Sequence, residues 1–339
     1  MKKNIVLCFP VQDRHVARIA AAAGDDFHII SADQDTIAEE IFNADIFCGH
    51  AKNHQIDWDA VVKAGRLEWI QSSAAGMDHC LTPSVIHSPI HVSSASGVLA
   101  NQVAEHGMAL SLAFLRSLPT FFRAQQKQEF IRRPTMDLYG ATVGILGLGG
   151  VGRRLAEILS VFGVKIVAVD MFPAEKPACV SELWGPANTD SLFAMCDVVF
   201  LCVPLNDDTR HLANAQKFSL MKPSALLVNI ARGAIVDTDA MLAALESRQI
   251  CGAVMDVTDP EPLPKNHPLW NREDVIITPH VGGQCVTRIE DMTRMYCENL
   301  RRWRAGEPLI NYLSVKSLGF PIRDAGYPLW VDLDRTIAW

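Results

Sequence analysis

The chain has 339 residues, more than one hydrophobic core normally organises, so two domains are expected. Hydrophobic residues make up 49% and charged residues 20%, the balance of an ordinary globular protein rather than a disordered one. A net charge of −7 argues against a nucleic-acid-binding face, and no apolar run approaches the length of a membrane span.

In chain order, "MKKNIVLCFP" has two lysines but an apolar run too short for a signal peptide, and it reads as a first β-strand. A cytoplasmic location is the expectation. The strands "FHIIS", "DIFCGH", "LEWIQSS" and "IHVSS" follow, and helices near 14–23, 36–43 and 57–64 separate the first four strands. The polar loop "GHAKNHQID" offers Lys52, His54 and Gln55 to a pocket. The pairs His50/His54 and His87/His91 have the i, i+4 spacing that binds metal on a helix. The first pair follows a strand and the second flanks Ser88-Pro89, so neither has that helix and no metal site is expected. None of the nine cysteines forms a C-x-x-C pair, and Cys8, Cys48, Cys202 and Cys251 lie in apolar runs that suit buried thiols in a reducing compartment.

"NQVAEHGMALSLAFLRSL" predicts a long helix with Asn101 as its cap, apolar on most faces and in need of a cover such as a second subunit. A second series of strands then runs "ATVGILGLG", "KIVAVD", "VVFLCVP", "ALLVNIA", "ICGAVMDV" and "DVIITPH", again alternating with helices. Alternation of this kind predicts an α/β protein with parallel sheets, and six strands complete a dinucleotide-binding sheet. A helix to about Ala305 follows, its Arg301-Arg302-Trp303-Arg304 end reading as a solvated last turn. An aromatic tail, "GFPIRDAGYPLWVDLDRTIAW", closes the chain.

The second series opens on Gly147-x-Gly149-x-x-Gly152, set between an apolar strand and an amphipathic helix. The first glycine permits the tight turn, the second lets the backbone approach a pyrophosphate, and the third allows helix and strand to pack closely. The anion then meets the helix N-terminus. Asp170 ends the next strand, where a carboxylate accepts hydrogen bonds from ribose hydroxyls and repels a 2′-phosphate, so NAD is expected rather than NADP.

The stretch "VIITPHVGG" reads as a buried strand breaking at Thr-Pro, which leaves His280 on a loop. Alone, it reads first as a hydrogen-bonded bystander, until other residues point at the same place. Arg232 in "LLVNIARGAIVD" and Glu261 in "MDVTDPEPLP" also follow strands of the same series. Each has a bland reading, as an ion-pair member and as a solvated loop charge, but three such residues at one sheet edge form a coherent set. A nicotinamide enzyme acting on a carbonyl needs an acid/base group for the oxygen and a cation for any carboxylate.

The segment from about Gly140 to Glu307 resembles the D-isomer-specific 2-hydroxyacid dehydrogenase family through "GILGLGGVG", "PLNDDTRHL", "MKPSALLVNIARGAIVD", "GAVMDVTDPEPLP" and "TPHVGG". "LEWIQSSAAGMDH" is similar to that family's substrate-domain loop, whereas the tail beyond about Asn311 finds no counterpart. The resemblance implies two doubly wound domains, a Rossmann cofactor domain over 98–283 inserted into a flavodoxin-like substrate domain over 1–97 and 284–339. It implies a homodimer built around the helix beginning near Asn101. It also implies that Arg232 binds the substrate carboxylate and polarises the 2-oxo group. His280 then donates a proton to the carbonyl oxygen, and Glu261 holds the histidine's other nitrogen. The amides of Ala74, Ala75 and Gly76 complete the carboxylate cradle, and Gly150 and Val151 meet the pyrophosphate. Asp256 lies near the nicotinamide amide, with Val203, Ile230, Ala231, Gly282 and Gly283 along the cofactor cleft.

Two departures stand out. The family commonly has arginine or lysine where Gly150 stands, and a small hydroxyl residue near Gln284-Cys285. Glu261 argues against the formate-oxidising relatives, in which a glutamine partners the histidine. A dinucleotide-sensing corepressor on the same scaffold and a 3-phosphoglycerate dehydrogenase are the rival readings. Reduction of a small polar 2-oxo acid, glyoxylate or hydroxypyruvate, is the expected activity.

Overall fold

Continuous apolar runs of four or five residues cannot expose one face to water, so strands built from them call for cover on both sides. The computed structural model describes residues 2–51, 56–173, 175–323 and 329; Lys52, His54, Gln55 and most of the aromatic tail lie outside the described residues. The chain divides into two compact units, Met1–Leu99 with Cys285–Trp339, and Ala100–Gln284.

The first unit runs β1 (Lys3–Cys8), α1 (Asp13–Ala23), β2 (Phe27–Ser31), α2 (Ile37–Glu40), β3 (Ile46–Gly49), α3 (Trp58–Ala64), β4 (Trp69–Ser72), α4 (Pro83–His87) and β5 (His91–Ser93). All five strands are parallel, in the order β2-β1-β3-β4-β5, which is the flavodoxin-like winding. Ile5, Leu7, Ile46 and Trp69 pack on one face, and Val6, Phe47, Ile70 and Val92 on the other, following the two-residue period of a strand.

The second unit begins with α5 (Ala100–Leu115) and α6 (Leu118–Gln126). It continues through β6 (Thr142–Leu146), α7 (Gly150–Leu159), β7 (Lys165–Val169), β8 (Glu182–Trp184), α8 (Thr189–Met195), β9 (Val198–Leu201), α9 (Ala215–Leu220), β10 (Leu226–Asn229), α10 (Thr238–Glu246), β11 (Gly252–Met255) and β12 (Val275–Ile277). Its parallel sheet has the order β12-β11-β10-β9-β6-β7-β8, so the chain reverses direction beside β6, the crevice where such sheets bind ligands. The chain then returns to the first unit with α11 (Arg288–Ala305), which packs on α1 through Tyr296 and Leu300. Two parallel α/β sheets were the expected class.

Local details differ from expectation. The second sheet has seven strands rather than six: the addition is β8, a half-buried edge strand of three residues that carries a charged residue. β12 is half-buried rather than buried, since it pairs with β11 alone at the opposite edge. Asn101 lies inside the first turn of α5 and not at its cap. The basic end of α11 is not simply solvated: Trp303 stacks on Trp69 at 5.3 Å, and Arg304 donates to the Ala22 carbonyl at 3.1 Å.

Candidate active site

The glycine loop is shaped by close backbone contacts. Gly147 takes a positive φ of 94°, and a β-carbon there would stand 2.8 Å from the Cys202 carbonyl. At Gly152 it would stand 2.0 Å from the Gly147 carbonyl oxygen, so no other residue lets α7 approach the loop in this way. Around Gly149 the corresponding space is open, as a loop meeting a pyrophosphate requires. α7 begins at Gly150 with no side-chain cap, which leaves the amides of its first turn, including Val151, for an anion. One oxygen of Asp170 accepts the Leu148 amide at 2.6 Å and the other the Phe172 amide at 2.9 Å. The carboxylate is thereby fixed beside the loop, and this donor set fits a dinucleotide. Val203 meets the loop as well, its amide lying 2.9 Å from a β-carbon built on Gly147.

Arg232 follows β10. Buried Asn229 donates its amide to the Arg232 carbonyl at 2.8 Å and accepts the Ala231 amide at 3.1 Å, which sets the turn through Ile230 and Ala231. The half-buried Arg232 guanidinium donates to the Ala231 carbonyl at 2.8 Å. The loop after β11 carries Glu261 and reaches this turn closely, because Gly233 offers no side chain. A β-carbon on Gly233 would stand 2.0 Å from the Thr258 carbonyl oxygen.

His280 follows β12 with φ at +55°, a left-handed conformation uncommon for a side-chain-bearing residue and often seen at functional positions. Its amide donates to the Asp256 carbonyl at 2.7 Å. Its Nδ1 lies 2.8 Å from Glu261 Oε1, with both side chains a little under half exposed. That hydrogen bond, aided by the charges of His280 and Arg232 and opposed by partial burial, holds the Glu261 carboxyl below the usual glutamate range. An ionised carboxylate only accepts, so Nδ1 carries hydrogen and Nε2 is the nitrogen left to give or take a proton. Arg232, Glu261 and His280 thus follow three adjacent strands, all at the C-terminal edge of one sheet.

Asp256 is buried and fully engaged with protein donors. Its Oδ1 takes Thr278 Oγ1 at 2.7 Å, the Val281 amide at 3.0 Å and His106 Nε2 at 3.1 Å, and its Oδ2 takes the Gly282 amide at 2.9 Å. Sequence reasoning had passed over Asn229, Thr278 and His106. A polar residue ending the apolar run "ALLVN" was a usable signal for the first.

In the first unit, the loop after β4 contains Ala74, Ala75 and Gly76. The Ala74 amide donates to Ser72 Oγ at 3.0 Å, whereas those of Ala75 and Gly76 have no partner among the described residues. Ser72 in turn meets His79 Nε2 at 3.3 Å, and the His79 ring stacks on His50 at 4.1 Å. Burial pushes the thiols in the apolar runs up, Cys8 and Cys251 to about 11 and Cys202 to about 12, which disfavours their thiolate forms. No metal-binding group of side chains occurs among the described residues, and no described helix is long and apolar enough to cross a membrane.

Residues 108–282 match the family described as D-isomer specific 2-hydroxyacid dehydrogenase, NAD binding domain. A glyoxylate reductase of Thermofilum pendens is 34% identical over 75% of this chain and 76% of its own length. A D-3-phosphoglycerate dehydrogenase of Methanocaldococcus jannaschii is 29% identical over 84% of this chain, but the match spans only 54% of that longer protein. Among solved structures, a D-isomer specific 2-hydroxyacid dehydrogenase of Xanthobacter autotrophicus, in complex with NADPH and MES, superposes with a TM-score of 0.77. It is 25% identical, over 93% of this chain and 99% of the other. A glycine loop built for a dinucleotide, a histidine–glutamate pair beside an arginine turn, and these likenesses over most of the chain place the protein among the D-isomer specific 2-hydroxyacid dehydrogenases.

Proposed function

We propose that this 2-hydroxyacid dehydrogenase uses NADH to reduce a small polar 2-oxo acid, with glyoxylate or hydroxypyruvate as substrate. The observation that carries the reading is the 2.8 Å contact between His280 Nδ1 and Glu261, one strand from the Arg232 turn. Bound NADH supplies the hydride that reduces the carbonyl carbon. Arg232 grips the substrate carboxylate with its planar fork and polarises the 2-oxo oxygen. In the first unit, the Ala75 and Gly76 amides have no partner among the described residues, while Ala74 shapes their loop through Ser72. Protonated His280 gives the Nε2 proton to the alkoxide oxygen as it forms, and Glu261 holds the ring and stabilises its charged form.

The residues that would hold the cofactor are the loop from Gly147 to Gly152, Asp170, Val203, Ile230, Ala231, Gly282 and Gly283. Asp256, with four protein donors around its carboxylate, is assigned to shaping the wall beside the nicotinamide. Fixed in place by two amides, Asp170 supports NAD over NADP. A relative solved with NADPH keeps that choice a matter for assay.

The same reading makes the protein a homodimer. α5 is partly covered by its own sheet, and the exposed apolar side chains lie beyond it: Phe122, Phe130, Ile131, Met136 and Tyr139. A second copy covering this stretch is the occupant we assign, and Phe130→Ser with Tyr139→Ser should shift the sedimenting species toward monomer.

The deciding experiment is a panel of glyoxylate, hydroxypyruvate, 3-phosphohydroxypyruvate and bulkier 2-oxo acids with NADH. The first two should give the highest kcat/KM. Preference for the phosphorylated acid would move the protein to the phosphoglycerate branch, and NADH binding without turnover of any acid would make it a dinucleotide sensor.

A further inference from the structure

His106 sits on α5 beside that helix's buried positions Ala104, Gly107 and Met108. Its Nε2 lies 3.1 Å from Asp256 Oδ1 and 3.1 Å from Thr278 Oγ1. The Thr278 hydroxyl spends its single hydrogen on Asp256 Oδ1 at 2.7 Å, so toward the histidine it can only accept. His106 Nε2 therefore carries a hydrogen and shares it between the two oxygens.

From the histidine the network leads directly to the catalytic turn. Asp256 Oδ1 and Oδ2 receive the Val281 and Gly282 amides, and the Asp256 carbonyl receives the His280 amide. Three consecutive amides of the turn that aims His280 at Glu261 are thus anchored on one aspartate. His106 and Thr278 supply that aspartate's side-chain donors. Two glycines make room for the arrangement. A β-carbon on Gly107 would stand 2.9 Å from Ile230 Cδ1, so its absence lets α5 close on the segment after β10. At Gly282 it would stand 2.9 Å from Asp256 Oδ2 and 3.4 Å from His106 Cδ2.

We propose that His106 is a positioning residue, which fixes the Asp256 carboxylate and through it the left-handed turn that presents His280 for proton transfer. The inference rests on the reading of His280 as the proton donor. Without the shared hydrogen, Asp256 keeps its backbone donors but loses the tie to α5, and the imidazole samples orientations away from Glu261. Buried polar networks of this kind fix geometry only while every member is satisfied.

The test compares His106→Phe, which keeps a ring but no donor, with His106→Gln, whose amide nitrogen replaces Nε2. With glyoxylate and NADH, His106→Phe should lower kcat about 10- to 100-fold, the scale of a misplaced catalytic group. KM for glyoxylate and the NADH Kd from fluorescence quenching should change much less, and His106→Gln should recover most of the lost kcat. A His106→Phe enzyme with near-normal kcat, or a His106→Gln enzyme equally impaired, overturns the proposal. Should His106→Phe fail to fold, Thr278→Val removes the shared acceptor, and it should likewise lower kcat more than it disturbs KM; unchanged kcat there also overturns it. If the parent turns over no 2-oxo acid, it is the functional reading that fails. The positioning role is then read from the imidazole 15N resonances of His280, which should move in His106→Phe and stay in His106→Gln. Resonances unmoved in both variants count against the proposal.

Discussion

Gly233 and Thr258 touch backbone to backbone, with room for no β-carbon between them: one built on Gly233 would stand 2.0 Å from the Thr258 carbonyl oxygen. This contact joins the turn that carries Arg232 to the loop that carries Glu261. Gly233→Ala must push the two apart, and overpacking of this kind typically costs about 1–3 kcal/mol. The variant should melt at lower temperature and lose much more kcat/KM than its stability loss explains. A variant with parental kinetics would show that the Arg232–Glu261 spacing is not critical.

Arg232→Lys keeps the positive charge but loses the two-point hold on a carboxylate. The expected loss in kcat/KM for a 2-oxo acid is about 100-fold, as for a reacting group displaced by about an ångström. Steady-state kinetics with saturating NADH check this. Near-parental values would return Arg232 to the role of a structural ion-pair member.

Asp170 has no freedom to swing aside, because each of its oxygens already holds a backbone amide. NADH should therefore be preferred to NADPH by at least about tenfold in kcat/KM, equivalent to ~1.4 kcal/mol. Asp170→Ser should narrow the gap, chiefly by improving NADPH. Equal kcat/KM for both coenzymes in the parent contradicts the assignment.

The alternation of strands and helices carried the architecture, because each apolar run ended in turn residues and parallel strands need helical crossovers. The glycine loop was legible because "GLGGVG" holds its own backbone reason in six residues. β8 was not, since three half-buried residues leave no periodicity to read. Nor was the His106–Asp256–Thr278 network, whose members lie 150 and 22 residues apart and meet only when α5 packs on the sheet. The Ala74 amide was assigned to a ligand along with its neighbours, and only the folded loop reveals Ser72 as its acceptor. Local chemistry is written locally in this chain, whereas its supporting contacts depend on packing.

The central claim, that His280 transfers the proton under the control of Glu261, is tested most directly by the pH dependence of kcat/KM in Glu261→Gln. The Glu261 carboxyl is held below its usual range, chiefly by the His280 hydrogen bond, so it stays ionised at every ordinary assay pH. Its contribution to the pair is complete above the ordinary glutamate range and is lost only as pH falls through the depressed value. The neutral amide of Glu261→Gln cannot supply that charge at any pH. In the parent, kcat/KM for reduction should therefore fall on the acid side as the Glu261 carboxyl takes up a proton, whereas Glu261→Gln, whose amide does not titrate, should lack that acidic limb and turn over more slowly throughout. Loss of the limb, with NADH binding little changed, is the predicted result; an acidic limb kept where the parent has it would contradict the coupling of His280 to Glu261.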